Sequence, residues 1–168
     1  MKENLPEFVK SMIYDELVKI AGVNNVSVSQ VDKICYSRDA WPLALMWIDL
    51  GKTLPTPDFV VHVENKEQIA KILHLANTKK IPVIPFAGGA GACGQTLAIQ
   101  GGIILDIKKM DKILRIDEKS ATATVQPGII GEDLERELNK RGFTTGHIPA
   151  SMYCSCLGGF VACRSAGS

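Results

Sequence analysis

An excess of charge of either sign is what this sequence most plainly lacks. Lys and Arg together number 19, Asp and Glu 18, and the net charge is +1. A chain so balanced presents no strong field to nucleic acid or to an anionic membrane, and neither is expected as a partner. Long apolar runs are missing as well. A membrane-crossing helix needs about 20 mostly apolar residues, and the run from Trp41 to Ile48 is too short. The uncharged stretch from Ile81 to Leu105 is long enough, but its glycines and prolines break a helix. The N-terminal MKENLPEF lacks the apolar core of a signal peptide. Disulfide pairing is not expected either. Five cysteines is an odd number, and without a secretion signal they read as reduced thiols of a cytoplasmic protein. Cys154, Cys156 and Cys163 cluster, with His147 as a candidate fourth ligand. Cys-x-Cys plus one cysteine is a weak metal pattern, because structural zinc takes four ligands. They read instead as small buried thiols, and no metal is expected.

What is present is a globular composition: 168 residues, 46% of them hydrophobic, enough for one sizeable core. Residues 4–21 carry Leu5, Phe8, Val9, Met12, Ile13, Leu17 and Ile20 at helical spacing. Asn4 with Glu7 resembles a capping pair, and Gly22 stands where a C-terminal cap belongs. Residues 23–57 give little signal until TLPTP, a stiff connector. DFVVHV (58–63) reads as a strand. Asn65 with Gln68 reads as a second capping pair, opening a helix to about Lys79. IPVIPF (81–86) is a second, irregular strand. Together they predict a βαβ unit with parallel strands. GGIILDI (101–107) is a further strand, residues 112–128 a hairpin, and 131–141 a helix with Leu134 and Leu138 on its buried face.

PFAGGAGACGQT (85–96) is the stretch that carries chemistry. Gly89, Gly91 and Gly94 fit G-x-G-x-x-G, but a Rossmann site needs a helix directly after the glycines. Here Gly101 and Gly102 interrupt, and a β-rich run follows. The spacing from Gly89 to Thr96 also approaches a P-loop, yet Gln95 occupies the position of the phosphate-neutralising lysine. Two readings stay open: a nest of main-chain N–H groups around an anion, or a tight structural turn. No Lys or Arg occurs from Ile81 to Leu105, so an anion held there is held by amide dipoles.

The flanking motifs carry a resemblance. TPDFVVHV, the helix after it, PVIPFAGGAGACGQT and GGIILDIKKM are similar, in that order, to the first half of the PCMH-type FAD-binding domain of the vanillyl-alcohol oxidase superfamily. VQPGII (125–130), TGHIPASMYCSCLGGFVACRSAG (145–167) and YSRDAWP (36–42) continue it. The likeness is greatest to the glycolate and D-lactate dehydrogenase branch and to alkyl-dihydroxyacetone-phosphate synthases. It implies an α+β fold: a connector with a helix (1–57), a βαβ-containing first subdomain (58–110) and a truncated second subdomain (111–168). It also implies FAD as cofactor. Phe86, Ala87, Gly88, Gly89, Ala90, Gly91, Cys93 and Gly94 would wrap the pyrophosphate. Pro149, Ser151, Cys156, Gly158, Gly159, Arg164 and Gly167 would belong to the second cofactor-contacting segment, the first five of them lining ribityl chain and flavin. The loop has no histidine for covalent attachment, so binding is expected to be noncovalent. Ala87 stands in place of a usual glycine, and Ala90 in place of a usual Thr or Ser. Both are expected to weaken binding, Ala87 through strain if φ is positive there, Ala90 through a lost hydroxyl. Of the histidines, His62 and His74 read as packing or surface residues, and His147 as a candidate contact to flavin or substrate.

The resemblance stops short of a substrate-binding cap domain, so no catalytic base is assigned. The expectation is the N-terminal portion of an FAD-linked oxidoreductase, inactive alone. The alternative is a nucleotide-binding or subunit-interaction module of a split flavoenzyme, completed by a separate chain. An exposed sheet edge would leave residues 145–168 loosely held or paired with another copy.

Overall fold

The computed structural model describes residues 6–167. The chain opens with α1 (Glu7–Ala21), which has Pro6 at its N-cap. Asn4, the expected capping residue, lies outside the described residues. Gly22 ends the helix with φ 90°, its N–H donating to Val18 O. A short strand β1 (Val26–Ser27) follows, then α2 (Gln30–Cys35) and α3 (Pro42–Asp49), two helices the sequence did not announce. The βαβ unit comes next: β2 (Phe59–His62), α4 (Lys66–Lys79) and β3 (Val83–Phe86). Asn65 caps α4 by accepting from Gln68 N at 2.9 Å. Gln68 Oε1 reaches back one residue further than a standard capping box, to Glu64 N at 2.8 Å.

The first sheet has the order β1-β2-β4-β3, where β4 is Ile103–Asp106. The strands β2 and β3 are parallel, as expected, but β4 inserts between them and is parallel to both. β1 is antiparallel at the edge. This central position explains the composition of β2 and β4, FVVH and IILD, which show no polar alternation because both faces are covered. Phe59, Val61, Ile103 and Leu105 face α1 and α4, meeting Ile13, Leu17, Ile72 and Ala76. Val60 and Ile104 face the other way, toward Phe86 and Tyr36. Each such side chain, fully buried, contributes about 1.5–3 kcal/mol.

The second sheet is the antiparallel pair β5 (Ile113–Asp117) and β6 (Thr122–Val125). Helix α5 (Gly131–Asn139) lays Leu134 and Leu138 over Ile113, Ile116 and Val125. The last element is α6 (Leu157–Cys163). The segment leading to it does not stand free. Glu135, buried on α5, accepts from Thr145 N at 2.9 Å and Thr145 Oγ1 at 2.7 Å, and from Thr144 Oγ1. Burial alone would raise this carboxyl's pKa, but those hydrogen bonds outweigh it and hold the pKa below the ordinary value. Gly131 N and Glu132 N donate to Ser155 O and Met152 O, satisfying the start of α5 from the same segment. Residues 145–167 are thus bound within their own chain.

Candidate functional site

The three parallel strands end on one edge, and the glycine loop leaves from the end of β3. Clefts at the carboxyl ends of parallel strands are where such sheets bind ligands. Beneath the loop lies a polar cluster that joins distant parts of the chain. Asp106, at the end of β4, is 1% exposed. Its Oδ2 accepts from Tyr36 Oη, lies 3.2 Å from His62 Nδ1 and 3.1 Å from Lys108 Nζ. Its Oδ1 accepts from Lys108 N at 2.8 Å. Burial by itself would raise the Asp106 pKa; the bonds from His62, Tyr36 and Lys108 prevail and set it at about 2. Burial and the neighbouring carboxylate push the Tyr36 phenol well above its ordinary range. Phe86 packs edge-on against Tyr36 at 4.7 Å, with Lys108 Nζ 5.4 Å from the Phe86 ring. The root of the loop therefore stands on a fixed aromatic and ionic base. His62 had read as a packing or surface residue; it is a member of this cluster.

The loop itself is irregular, with φ +65° at Gly89 and +74° at Gly94. Ala87 and Ala90 are not among the positive-φ residues, so the strain expected at Ala87 does not arise. Of the two substitutions, only the missing hydroxyl at Ala90 remains as a difference. Some of the glycine content has a packing cause the sequence reading did not foresee. A Cβ on Gly88 would lie 2.1 Å from Cys154 O, and one on Gly94 2.7 Å from the Trp41 ring. The loop is thus wedged between α3's leading residue and the segment before α6. Ala40 N also donates to Gly91 O at 2.8 Å.

The main-chain N–H groups of the loop are largely free. Cys93 N donates to Gln95 Oε1 at 3.1 Å. Among the described residues, those of Ala87, Gly89, Ala90, Gly91 and Gly94 meet no protein acceptor. Ala87, Gly89, Ala90 and Gly91 border a cavity of about 500 Å³ between the loop and α6. Ten of the fifteen residues singled out in the sequence line it: Phe86, Ala87, Gly88, Gly89, Ala90, Gly91, Ser151, Cys156, Gly158 and Gly159. Five do not: Cys93, Gly94, Pro149, Arg164 and Gly167. Cys93 is exposed. Gly167 packs on Pro149, where an added Cβ would fall 2.5 Å from the proline backbone. Arg164 is the αL cap of α6. Gln95, Thr96, Ile107, Pro127 and Ser155 also line the cavity and were missed. They lie within the quoted motifs but were not singled out there, and only folding turns them toward the cavity. Thr96 is buried, and its Oγ1 has no partner. His147 is adjacent rather than lining, stacked edge-on against Phe160 at 4.9 Å.

The cavity lining contains no carboxylate, histidine, lysine or arginine. The Cys156 thiol is pushed up by burial and stays protonated. The described residues hold no cluster of metal-ligating groups, and the cysteines are free. Unpaired amides, apolar walls and an orphaned hydroxyl in a space of this size fit part of a dinucleotide cofactor.

An irregular glycine loop after a parallel strand, facing a neutral cavity with free amides, defines a dinucleotide-binding protein outside the Rossmann class. The FAD binding domain family matches residues 57–168, and the chain belongs to that family. It is an FAD-binding domain of the kind found in FAD-linked oxidoreductases, and its cofactor is FAD. Glycolate oxidase subunit GlcD of Bacillus subtilis is 33% identical over 92% of this chain and 31% of its own length. Alkyldihydroxyacetonephosphate synthase of Caenorhabditis elegans is 34% identical over 91% of this chain and 27% of its own. A solved alkyldihydroxyacetonephosphate synthase superposes with a TM-score of 0.84 at 27% identity, covering 98% of this chain and 33% of that one. p-Cresol methylhydroxylase shares the fold, at a TM-score of 0.66 and 23% identity, covering 83% of this chain and 26% of that one. The fold is α+β, of the PCMH type. The chain spans about a third of the length of these relatives. No helix of the described residues is long and apolar enough to cross a membrane.

Proposed function

We propose that this chain is the FAD-binding portion of an FAD-linked oxidoreductase acting on a 2-hydroxy acid or related small substrate, and that it is inactive by itself. The observation that carries the reading is the row of unpaired loop amides on a cavity without a single general base. Those amides suit a diphosphate, and the apolar α6 side suits a flavin. Bound FAD supplies the two-electron acceptor. The residues here bind and orient it noncovalently, and keep water off it with Phe86, Ile107, Pro127 and Phe160. The substrate class is supported by relatives named for glycolate and D-lactate, both 2-hydroxy acids. Five free thiols support a reducing, cytoplasmic setting.

Further polypeptide that completes the FAD and substrate domains is the natural complement. Helix α3 supports that need. It exposes Leu43, Leu45, Met46 and Ile48 and buries Ala44 alone. A face so apolar calls for cover.

The test is an FAD titration followed by flavin fluorescence. The expected complex is saturable, released by denaturation, and weak, with Kd about micromolar or above because many contacts lie elsewhere. Gly159→Ala is the informative variant. Nothing lies within 4 Å of an added Cβ there, so the fold tolerates it. Lower FAD affinity at an unchanged thermal midpoint locates the cofactor against α6. No saturable quenching, or turnover of glycolate or D-lactate by this chain with an artificial electron acceptor, overturns the reading.

A further inference from the structure

We propose that Gln95 is a positioning residue for flavin binding, whose carboxamide clamps the glycine loop to α6 and sets the width of the cavity. The proposal rests on the FAD reading of that cavity. Gln95 Oε1 accepts from Cys93 N at 3.1 Å, and Nε2 donates to Cys163 Sγ at 3.4 Å. One planar group therefore bonds to both walls, since Cys93 belongs to the loop and Cys163 ends α6. A carboxamide carries a donor and an acceptor side by side without charge, which this neutral cavity requires. The same group presses on the loop: a Cβ at Gly91 would fall 2.5 Å from Gln95 Nε2. Among the described residues, this is the one side-chain hydrogen bond joining loop to α6. Gln95 and Cys163 both line the cavity. The residue that disqualifies the loop as a P-loop thus has a different use: it closes the loop onto a second wall.

The experiment is a double-mutant cycle read by FAD affinity and by the visible circular dichroism of bound flavin. Gln95→Ala and Cys163→Ala each weaken FAD binding about tenfold, as expected for losing one to two such bonds. Combined, they weaken it no further than either alone, because both remove one clamp. Cys163→Ser keeps an acceptor and restores most of the affinity. Fully additive losses, or an unchanged Gln95→Ala, overturn the proposal. If the wild-type chain binds no FAD, the cavity reading fails and the clamp is read separately. Iodoacetamide labelling of Cys163 in the ligand-free chain, followed by peptide mapping, is then faster in Gln95→Ala than in wild type. Equal rates overturn the clamp.

Discussion

Gly88→Ala is expected to remove most FAD binding while leaving the first sheet folded. The added methyl would lie 2.1 Å from Cys154 O and 3.0 Å from Ser155 Cα. Both contacts are backbone, so no rotamer change relieves them, and the loop must separate from the segment that leads into α6. Overpacking of this kind costs about 1–3 kcal/mol. The loss falls on the cofactor as well as on stability, because Gly88 packs against Ser155, and both residues line the cavity, so parting them changes its shape. An affinity loss of up to roughly 100-fold follows at 1.4 kcal/mol per factor of ten. Flavin fluorescence titration measures it, with far-UV circular dichroism to show the retained sheet. Gly159→Ala provides the contrast in stability alone, since an added methyl there meets open space and leaves the thermal midpoint unchanged. Equal FAD affinity in Gly88→Ala and wild type would mean that the two walls do not act together.

What the sequence made legible, and what it did not, follows from how local the causes are. The βαβ unit was readable because β2 is a short β-rich apolar run and because Asn65 and Gln68 mark the start of α4. The glycine loop was readable through its neighbours in order, not through its own pattern. Helix α3 gave no period to read, since PLALMWID buries only Ala44 and is apolar on every side. Helix α6 was hidden by Gly158 and Gly159, which disfavour a helix in isolation. Two features had no local signal at all. Gly88 and Gly94 look like ligand-contact glycines, yet each is also required by a neighbour distant in sequence, Cys154 for Gly88 and Trp41 for Gly94. The cluster around Asp106 joins Tyr36, His62 and Lys108, whose roles depend on three separate elements ending at one edge.

That cluster leads to the second large effect. Asp106→Ala leaves Tyr36, His62 and Lys108 without their shared acceptor; His62 and Lys108 are partly exposed and can turn to water, so the expected cost is about 1.5–3 kcal/mol, that of hydrogen bonding to a charged group. Urea denaturation at neutral pH measures the loss. The pH dependence isolates the carboxylate. In the folded chain its pKa is about 2, below the ordinary value of 3.8. A group whose folded pKa is depressed adds stability above its unfolded pKa and gives it up as pH falls toward the folded one. The gap in stability between wild type and Asp106→Asn should therefore be constant above about pH 5 and narrow between pH 4 and pH 2 by about 2 kcal/mol. Glu135 also loses its depressed-pKa contribution in acid, but equally in both proteins, so the difference cancels it. The consequence reaches the cofactor through Phe86. Its ring rests on Tyr36, and it pairs with Asp106 across the β3–β4 ladder. Loosening Asp106 lets the residue at the root of the glycine loop move, so FAD affinity should fall together with stability. A stability gap that stays constant from pH 7 to pH 2 would show that Asp106 is not held ionised by its neighbours, and the base beneath the loop would have to lie elsewhere.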